Sequence, residues 1–123
     1  PPSLGMLTIN ALSAADNILI PVQAQYLPAK GMTKLLNTIG KVKHQINPKV
    51  DILGVAITLA NMQTNLGKST VETIRENYGK HIKVFNSIIP IGVKAAEASV
   101  SGKSVYQHAK DSNVAKAYED LTK

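Results

Sequence analysis

Two short stretches carry the residue types of phosphate chemistry: Gly-Lys-Ser-Thr at Gly67 to Thr70, and Gly-Lys-Ser at Gly102 to Ser104. A phosphate-binding loop of the Gly-x-x-x-x-Gly-Lys-Ser/Thr type needs both glycines, because successive backbone N–H groups must curl around the anion before the lysine reaches it. The first stretch has Met62 where the leading glycine belongs, and "NMQTNL" before Gly67 contains no glycine at all. Side chains at those positions hinder the curl. The second has Glu97 at the corresponding place, a negative charge where phosphate would sit. Neither reads as a phosphate loop. Gly67 to Thr70 reads instead as the start of a helix near Gly67 or Lys68, with Thr64 or Asn65 as its cap.

Other chemistry is bounded by composition. The absence of cysteine excludes disulfides, thiolate metal sites and thiol nucleophiles. His44, His81 and His108 lie far apart with no metal-type spacing, so each reads as an ordinary surface or core histidine and no metal site is expected. The formal net charge of +6 comes from 14 Lys and Arg against 8 Asp and Glu. It fits a polyanionic partner, nucleic acid before an anionic membrane surface, and it also fits a simply soluble lysine-rich surface. Aromatics are few, at 4%, and no recognition motif for base reading is present. A chain of 123 residues fits one domain with a modest core. No apolar run approaches the roughly 20 residues needed to cross a bilayer.

The elements that would position these residues are legible. Three near-continuous apolar runs predict strands at Asn17–Gln23, Val50–Ala60 and Ile82–Pro90, in the manner of a parallel sheet covered on both faces. Leu4, Leu7, Ala11 and Ala15 predict a helix before the first. Met32, Leu35, Leu36, Ile39, Val42 and Ile46 mark a longer one, which packs on the sheet and is stopped by Asn47-Pro48. Val71, Ile74 and Tyr78 mark a third, closed at Gly79. A short helix is expected over 95–100, and a last one carries Val114, Ala117, Tyr118 and Leu121 behind a Ser112 or Asn113 cap. The fold class is α/β, a parallel sheet flanked by helices. Three strands make a thin sheet with an apolar edge to cover. The chain opens on "PPSLG" without an initiator methionine, so the expectation is half of a doubly wound domain.

Four stretches in order, "PPSLGMLTINALSAAD", "ILIPVQAQYLPAKGM", "ITLANMQTNL" and "IPIGVKAAEASVSGKSVYQH", resemble the ParA/Soj partitioning ATPases, which belong with MinD among the deviant Walker A P-loop ATPases. The resemblance covers essentially the whole chain. It implies that residues 1–123 are the C-terminal portion of a single ATPase domain whose N-terminal P-loop half, with its lysines, magnesium ligands and switch I, lies outside this sequence. The intact protein is then expected to bind ATP and Mg²⁺, dimerise, bind DNA without sequence preference and answer to a ParB-type partner. It is expected in the bacterial cytoplasm on the nucleoid, with no membrane role. The segment alone is expected neither to hold nucleotide tightly nor to hydrolyse it.

The resemblance also implies roles for residues. Pro1, Pro2, Ser3, Leu4 and Gly5 match switch II, although a proline-started helix N-terminus would look the same. Asn61, Pro90 and Ile91 fall on the rim that takes the adenine. A turn residue at Asn61 and a strand terminator at Pro90 are the alternatives. Pro21, Gln23 and Gln25 share that rim. The family often has Glu at position 25, Asp at 61 and a polar residue at 91. Lys94 matches a basic position of the DNA-facing surface, with Arg75, Lys68, Lys80 and Lys103 as further candidates; a solvated surface is the other reading of each. Two other functions stay open: a small basic α/β module that binds DNA or protein without ATPase activity, and a membrane-site regulator like MinD. Against the latter, the last helix, "NVAKAYEDLTK", is short, mixed in charge and weakly apolar.

Overall fold

The computed structural model describes residues 5–24 and 29–122. Its elements alternate as α1 (Met6–Ala14), β1 (Asn17–Gln23), α2 (Ala29–Gln45), β2 (Asp51–Ala60), α3 (Asn65–Tyr78), β3 (Val84–Pro90), α4 (Val93–Ser101), α5 (Val105–His108) and α6 (Asn113–Leu121). The strands form one parallel sheet in the order β1-β2-β3, so the α/β class expected from the apolar runs is the one observed. Two details differ from expectation. Helix α3 starts at Asn65, ahead of Gly67 or Lys68, because Thr64 takes the cap. A further short helix, α5, is present; Ser104 and Gln107 form a reciprocal capping box that stabilises a single turn with no apolar periodicity to announce it. Pro1 to Leu4 of the switch II match, and Gln25, lie outside the described residues.

The described residues form two compact units. The first holds 5–20 and 29–54. Met32, Ile39 and Val42 of α2 are buried with Leu12 of α1, Ile20 and Val50, while Lys34, Lys41, Lys43 and His44 take the solvent side of the same helix. Asn47, which stops α2, also finishes α1: its Nδ2 donates to the carbonyls of Leu12 at 3.2 Å, Ser13 at 3.0 Å and Ala15 at 2.9 Å. Those are carbonyls that a helix C-terminus leaves without partners. Nearby, Lys43 and Asp51 pair at 2.6 Å, but both are exposed and the pair adds little to stability.

The second unit holds 21–24 and 55–122. Val55, Ala56 and Ile57 are buried in succession, as a strand covered on both faces requires. They share the unit with buried Val71 and Ile74 from α3, Ile89 from β3, Ala98 from α4, and Val114 and Ala115 from α6. Helix α6 packs on β3, and Gly92 lies so close to Val114 Cγ2 that a Cβ there would overlap it. The β2–β3 register is twice irregular. The pairs Val55↔Val84, Ile57↔Ile88 and Ala60↔Pro90 give β3 the longer path first and β2 the longer path second. In the second irregularity stands Leu59, the one non-glycine residue with positive φ (51°) among those described. A bulge of this kind re-aims a strand where it leaves the sheet.

Candidate functional site

A groove of about 580 Å³ opens where the strands end. Ala24 follows β1, Asn61 follows β2 and Ile91 follows β3, and all three line it. Leu59, Thr64, Leu66, Gly67 and Thr70 complete the wall. This is the carboxyl end of a parallel sheet, where open α/β folds place ligands. Hydrogen bonds hold the strand ends together: Ala24 N donates to Thr58 O at 2.9 Å, and Ile91 N to Ala60 O at 3.1 Å. Leu59, Leu66 and Ile91 are all partly exposed in the groove, an apolar surface presented to solvent. Its volume is within the range of small-molecule pockets.

The polar floor is made by the β2–α3 turn. Asn61 Oδ1 accepts from Gln63 N at 3.2 Å, while the Asn61 carbonyl accepts from Thr64 Oγ1 at 3.2 Å. Thr64 Oγ1 in turn accepts from Gly67 N at 3.0 Å, and Lys68 N donates to Thr64 O at 3.2 Å. The N–H groups that a phosphate loop would aim at an anion are thus spent on the cap. The glycine has a different cause: its Cα lies against the Asn61 carbonyl, and a Cβ would overlap that oxygen. Gly67-Lys68-Ser69-Thr70 is helix-start chemistry around a close backbone approach.

The second Gly-Lys-Ser is helix-end chemistry. Gly102 sits in the left-handed region (φ 68°, ψ 27°) after the last turn of α4. Its N–H donates to Ser99 O at 3.3 Å, and Lys103 N donates to Ala98 O at 3.1 Å, the paired bonds of a Schellman close. Ser104 then caps α5.

Of the residues assigned to the base rim, Asn61 and Ile91 meet in the groove, and Pro90 pairs with Ala60 at the strand end behind it. Leu59, also in the wall, carries no signal in the sequence, and Thr64 is legible there only as a helix cap. Pro21 and Gln23 are exposed on β1. The basic candidates fall on separate elements. Lys68 is exposed in the first turns of α3, Lys80 just beyond its end, Lys94 in the first turn of α4, and Lys103 beyond its cap. Arg75 is half-buried. Its Nη2 donates to the Asn86 carbonyl at 3.2 Å, inside the first irregularity of β3, and its Nε is buried without a partner. That geometry ties Arg75 to the sheet.

Lys94 is also engaged: its Nζ lies 3.3 Å from Glu97 Oε2, which His108 Nε2 meets at 3.0 Å. The hydrogen bond from His108, then that from Lys94, holds the Glu97 carboxyl below its ordinary value. Gly5 precedes α1 as its cap residue in an extended conformation, without a side-chain cap bond. Among the described residues there is no group of three His, Asp or Glu able to hold a metal, and no helix long and apolar enough to cross a membrane.

Comparisons with known proteins agree with this arrangement. A family model described as an AAA domain matches residues 1–52. The chain is 40% identical over 123 residues to the sporulation initiation inhibitor protein Soj of Bacillus subtilis, covering 100% of this chain and 48% of that protein. It is 40% identical over 121 residues to the chromosome-partitioning ATPase Soj of Thermus thermophilus, covering 98% and 48%. The chain therefore spans about half the length of the curated relatives it matches. Among solved structures, cobyrinic acid a,c-diamide synthase from Mycobacterium smegmatis with a bound ATP analogue and magnesium superposes with a TM-score of 0.77 at 28% identity, over 98% of this chain and 42% of that one. Apo McdA from Cyanthece superposes with a TM-score of 0.80 at 17% identity, over 99% and 49%, a likeness of fold. Identity at this level along the whole chain, on a matching fold, makes the chain a homologue of a portion of the Soj/ParA chromosome-partitioning proteins.

Proposed function

We propose that this chain is the base-side, C-terminal portion of an ATP-dependent DNA-partitioning ATPase, and that the groove at the strand ends takes the adenine of ATP. The observation that carries this reading is the groove itself: apolar walls from Leu59, Leu66 and Ile91, with the amide of Asn61 at the end of β2. A purine ring fits such a volume and such walls, and the amide supplies polar contact to its edge. When ATP and Mg²⁺ are bound, the phosphates and the metal carry the transfer chemistry, through residues outside those described here. What this chain does is orient the base. Asn61 is fixed by its turn, Leu59 is set by the bulge, and Ile91 is anchored through its backbone to Ala60.

The same reading assigns DNA contact to Lys94, with Lys68 and Lys103 as lesser contributors, in a dimer discharged by a ParB-type partner. Lys94 would exchange Glu97 for a phosphate, a modest loss because the pair is exposed. Arg75 contributes by holding β3.

The base-side role is tested in the full-length protein by titrating ATP and inorganic tripolyphosphate into wild type and Ile91→Ala. The expected result is several-fold weaker ATP binding with tripolyphosphate binding unchanged. Equal effects on both ligands, or none on ATP, would remove the base from this groove. The DNA role is tested by the salt dependence of binding: Lys94→Ala should lower the slope of log K against log salt by about 1. An unchanged slope would take Lys94 off the phosphate backbone.

A further inference from the structure

We propose that proton uptake by His108 sets how much of the Lys94 charge is free for DNA, so that DNA binding tightens as pH falls through the histidine range. This rests on the reading of Lys94 as a phosphate contact and goes further, to what regulates that contact. One carboxylate oxygen, Glu97 Oε2, serves two neighbours. Lys94 Nζ lies 3.3 Å from it, three residues back on α4, and His108 Nε2 lies 3.0 Å from it, at the end of α5. Because the partner is a carboxylate, Nε2 carries a hydrogen and donates whether the ring is neutral or charged.

With the ring neutral, the carboxylate offsets the Lys94 ammonium and the three groups carry no net charge. Protonation of His108 adds one positive charge without moving an atom, and the same carboxylate must then serve two cations. A phosphate drawing Lys94 away leaves Glu97 to the imidazole, which favours the imidazolium; the coupling is therefore reciprocal. Histidine is the side chain whose charge ordinarily changes between about pH 5 and 8. Helices α5 and α6 both pack against α4, and most of their other titratable groups are turned to other neighbours. Lys110 lies over the Tyr106 ring, Tyr106, Tyr118 and Glu119 line one groove, and Asp120 lines another with Lys83. Lys103, Asp111 and Lys116 are exposed, and among the described residues Lys94 and His108 are the ion-pair partners of Glu97.

The test uses the full-length protein loaded with ATP and Mg²⁺, binding mixed-sequence duplex DNA at fixed ionic strength from about pH 8 to about pH 5.5. Wild type is expected to gain about threefold more affinity over that range than His108→Gln, which keeps an N–H donor for Glu97 but cannot charge. Equal gains in the two proteins would overturn the proposal. In a Lys94→Ala background the difference made by His108→Gln should largely vanish; its persistence would mean that the histidine acts on DNA without Lys94, and would also overturn it. Glu97→Gln frees Lys94 by another route and should bind DNA about threefold more tightly than wild type at about pH 8. Binding no tighter than wild type there would count against the shared carboxylate and overturn the proposal. Failure of the DNA reading is distinct, since Lys94→Ala would then keep the wild-type salt slope at both ends of the pH range, and it takes this proposal with it.

Discussion

Gly67→Ala tests the account of the Gly-Lys-Ser-Thr stretch most directly, because two effects oppose each other there. Gly67 lies in the first turn of α3, and alanine in place of glycine in a helix ordinarily stabilises by about 0.5–1 kcal/mol. Against this, the new Cβ would overlap the Asn61 carbonyl oxygen, with its carbon at 2.7 Å and Thr64 Oγ1 at 3.0 Å. The obstacle is backbone, so no rotamer change relieves it. Either α3 shifts outward or the Asn61 carbonyl rotates, and rotation breaks its bond from Thr64 Oγ1. Overpacking of this kind costs about 1–3 kcal/mol, and weakening the Thr64 cap adds about 1 kcal/mol. The net expectation is destabilisation by about 1–3 kcal/mol, the helix gain subtracted. Urea denaturation of the full-length protein, followed by circular dichroism, would read it as a lower midpoint at unchanged slope. A midpoint at or above wild type would refute the close-approach argument and return Gly67 to the class of dispensable helix glycines.

Three further substitutions have expected outcomes. Asn47→Ala removes three bonds to the end of α1 and should lower stability by about 1–3 kcal/mol in the same assay, with α1 losing amide protection first in hydrogen exchange. Gly92→Ala should destabilise by about 1–3 kcal/mol through Val114, which is buried and stiff at χ1; in a double-mutant cycle, Val114→Ala should absorb most of that penalty. Glu97 supplies the pH dependence. Its folded carboxyl titrates below its unfolded value, so its contribution is present above the ordinary carboxylate range and is lost as pH falls through the lowered folded value. Glu97→Gln should therefore flatten the acid limb of a stability–pH curve below roughly pH 4, and an acid limb unchanged from wild type would refute it.

The strands were legible because both-face burial demands unbroken apolar runs, and "DILGVAITLA" is such a run whatever follows it. The longer helices were legible through their buried stripes, as with Met32, Ile39 and Val42. What stayed hidden depended on partners distant in sequence. Arg75 reads as one more surface cation until β3 is seen to carry an irregularity whose Asn86 carbonyl needs a donor. Asn47 reads as a helix breaker, and only the fold shows the same amide closing α1, more than 30 residues earlier. Helix α5 was hidden for the opposite reason. Its signal is local, Ser104 followed by Gln107 three residues on, but one turn has no periodicity to draw attention to it.

The position of the groove follows from parallel strands more than from any motif. Because β2 and β3 run the same way, the residues that leave them, Asn61 and Ile91, emerge at one end, and Ala24 joins them after β1. Any chain with this order of elements brings three departing loops to a common rim. What is particular to this chain is how the rim is made rigid. A leucine in the left-handed region costs about 1–2 kcal/mol, and such strain persists only where surrounding contacts over-determine it. Those contacts are present on both sides of Leu59: the Ala24–Thr58 bond before it, and the Ala60–Ile91 bond and the capped Asn61 turn after it. Gly67, which mimics a phosphate loop in sequence, and the hydroxyl of Thr64 therefore serve the turn at this rim. They fix the Asn61 carbonyl, and with it the turn that closes the rim of the groove.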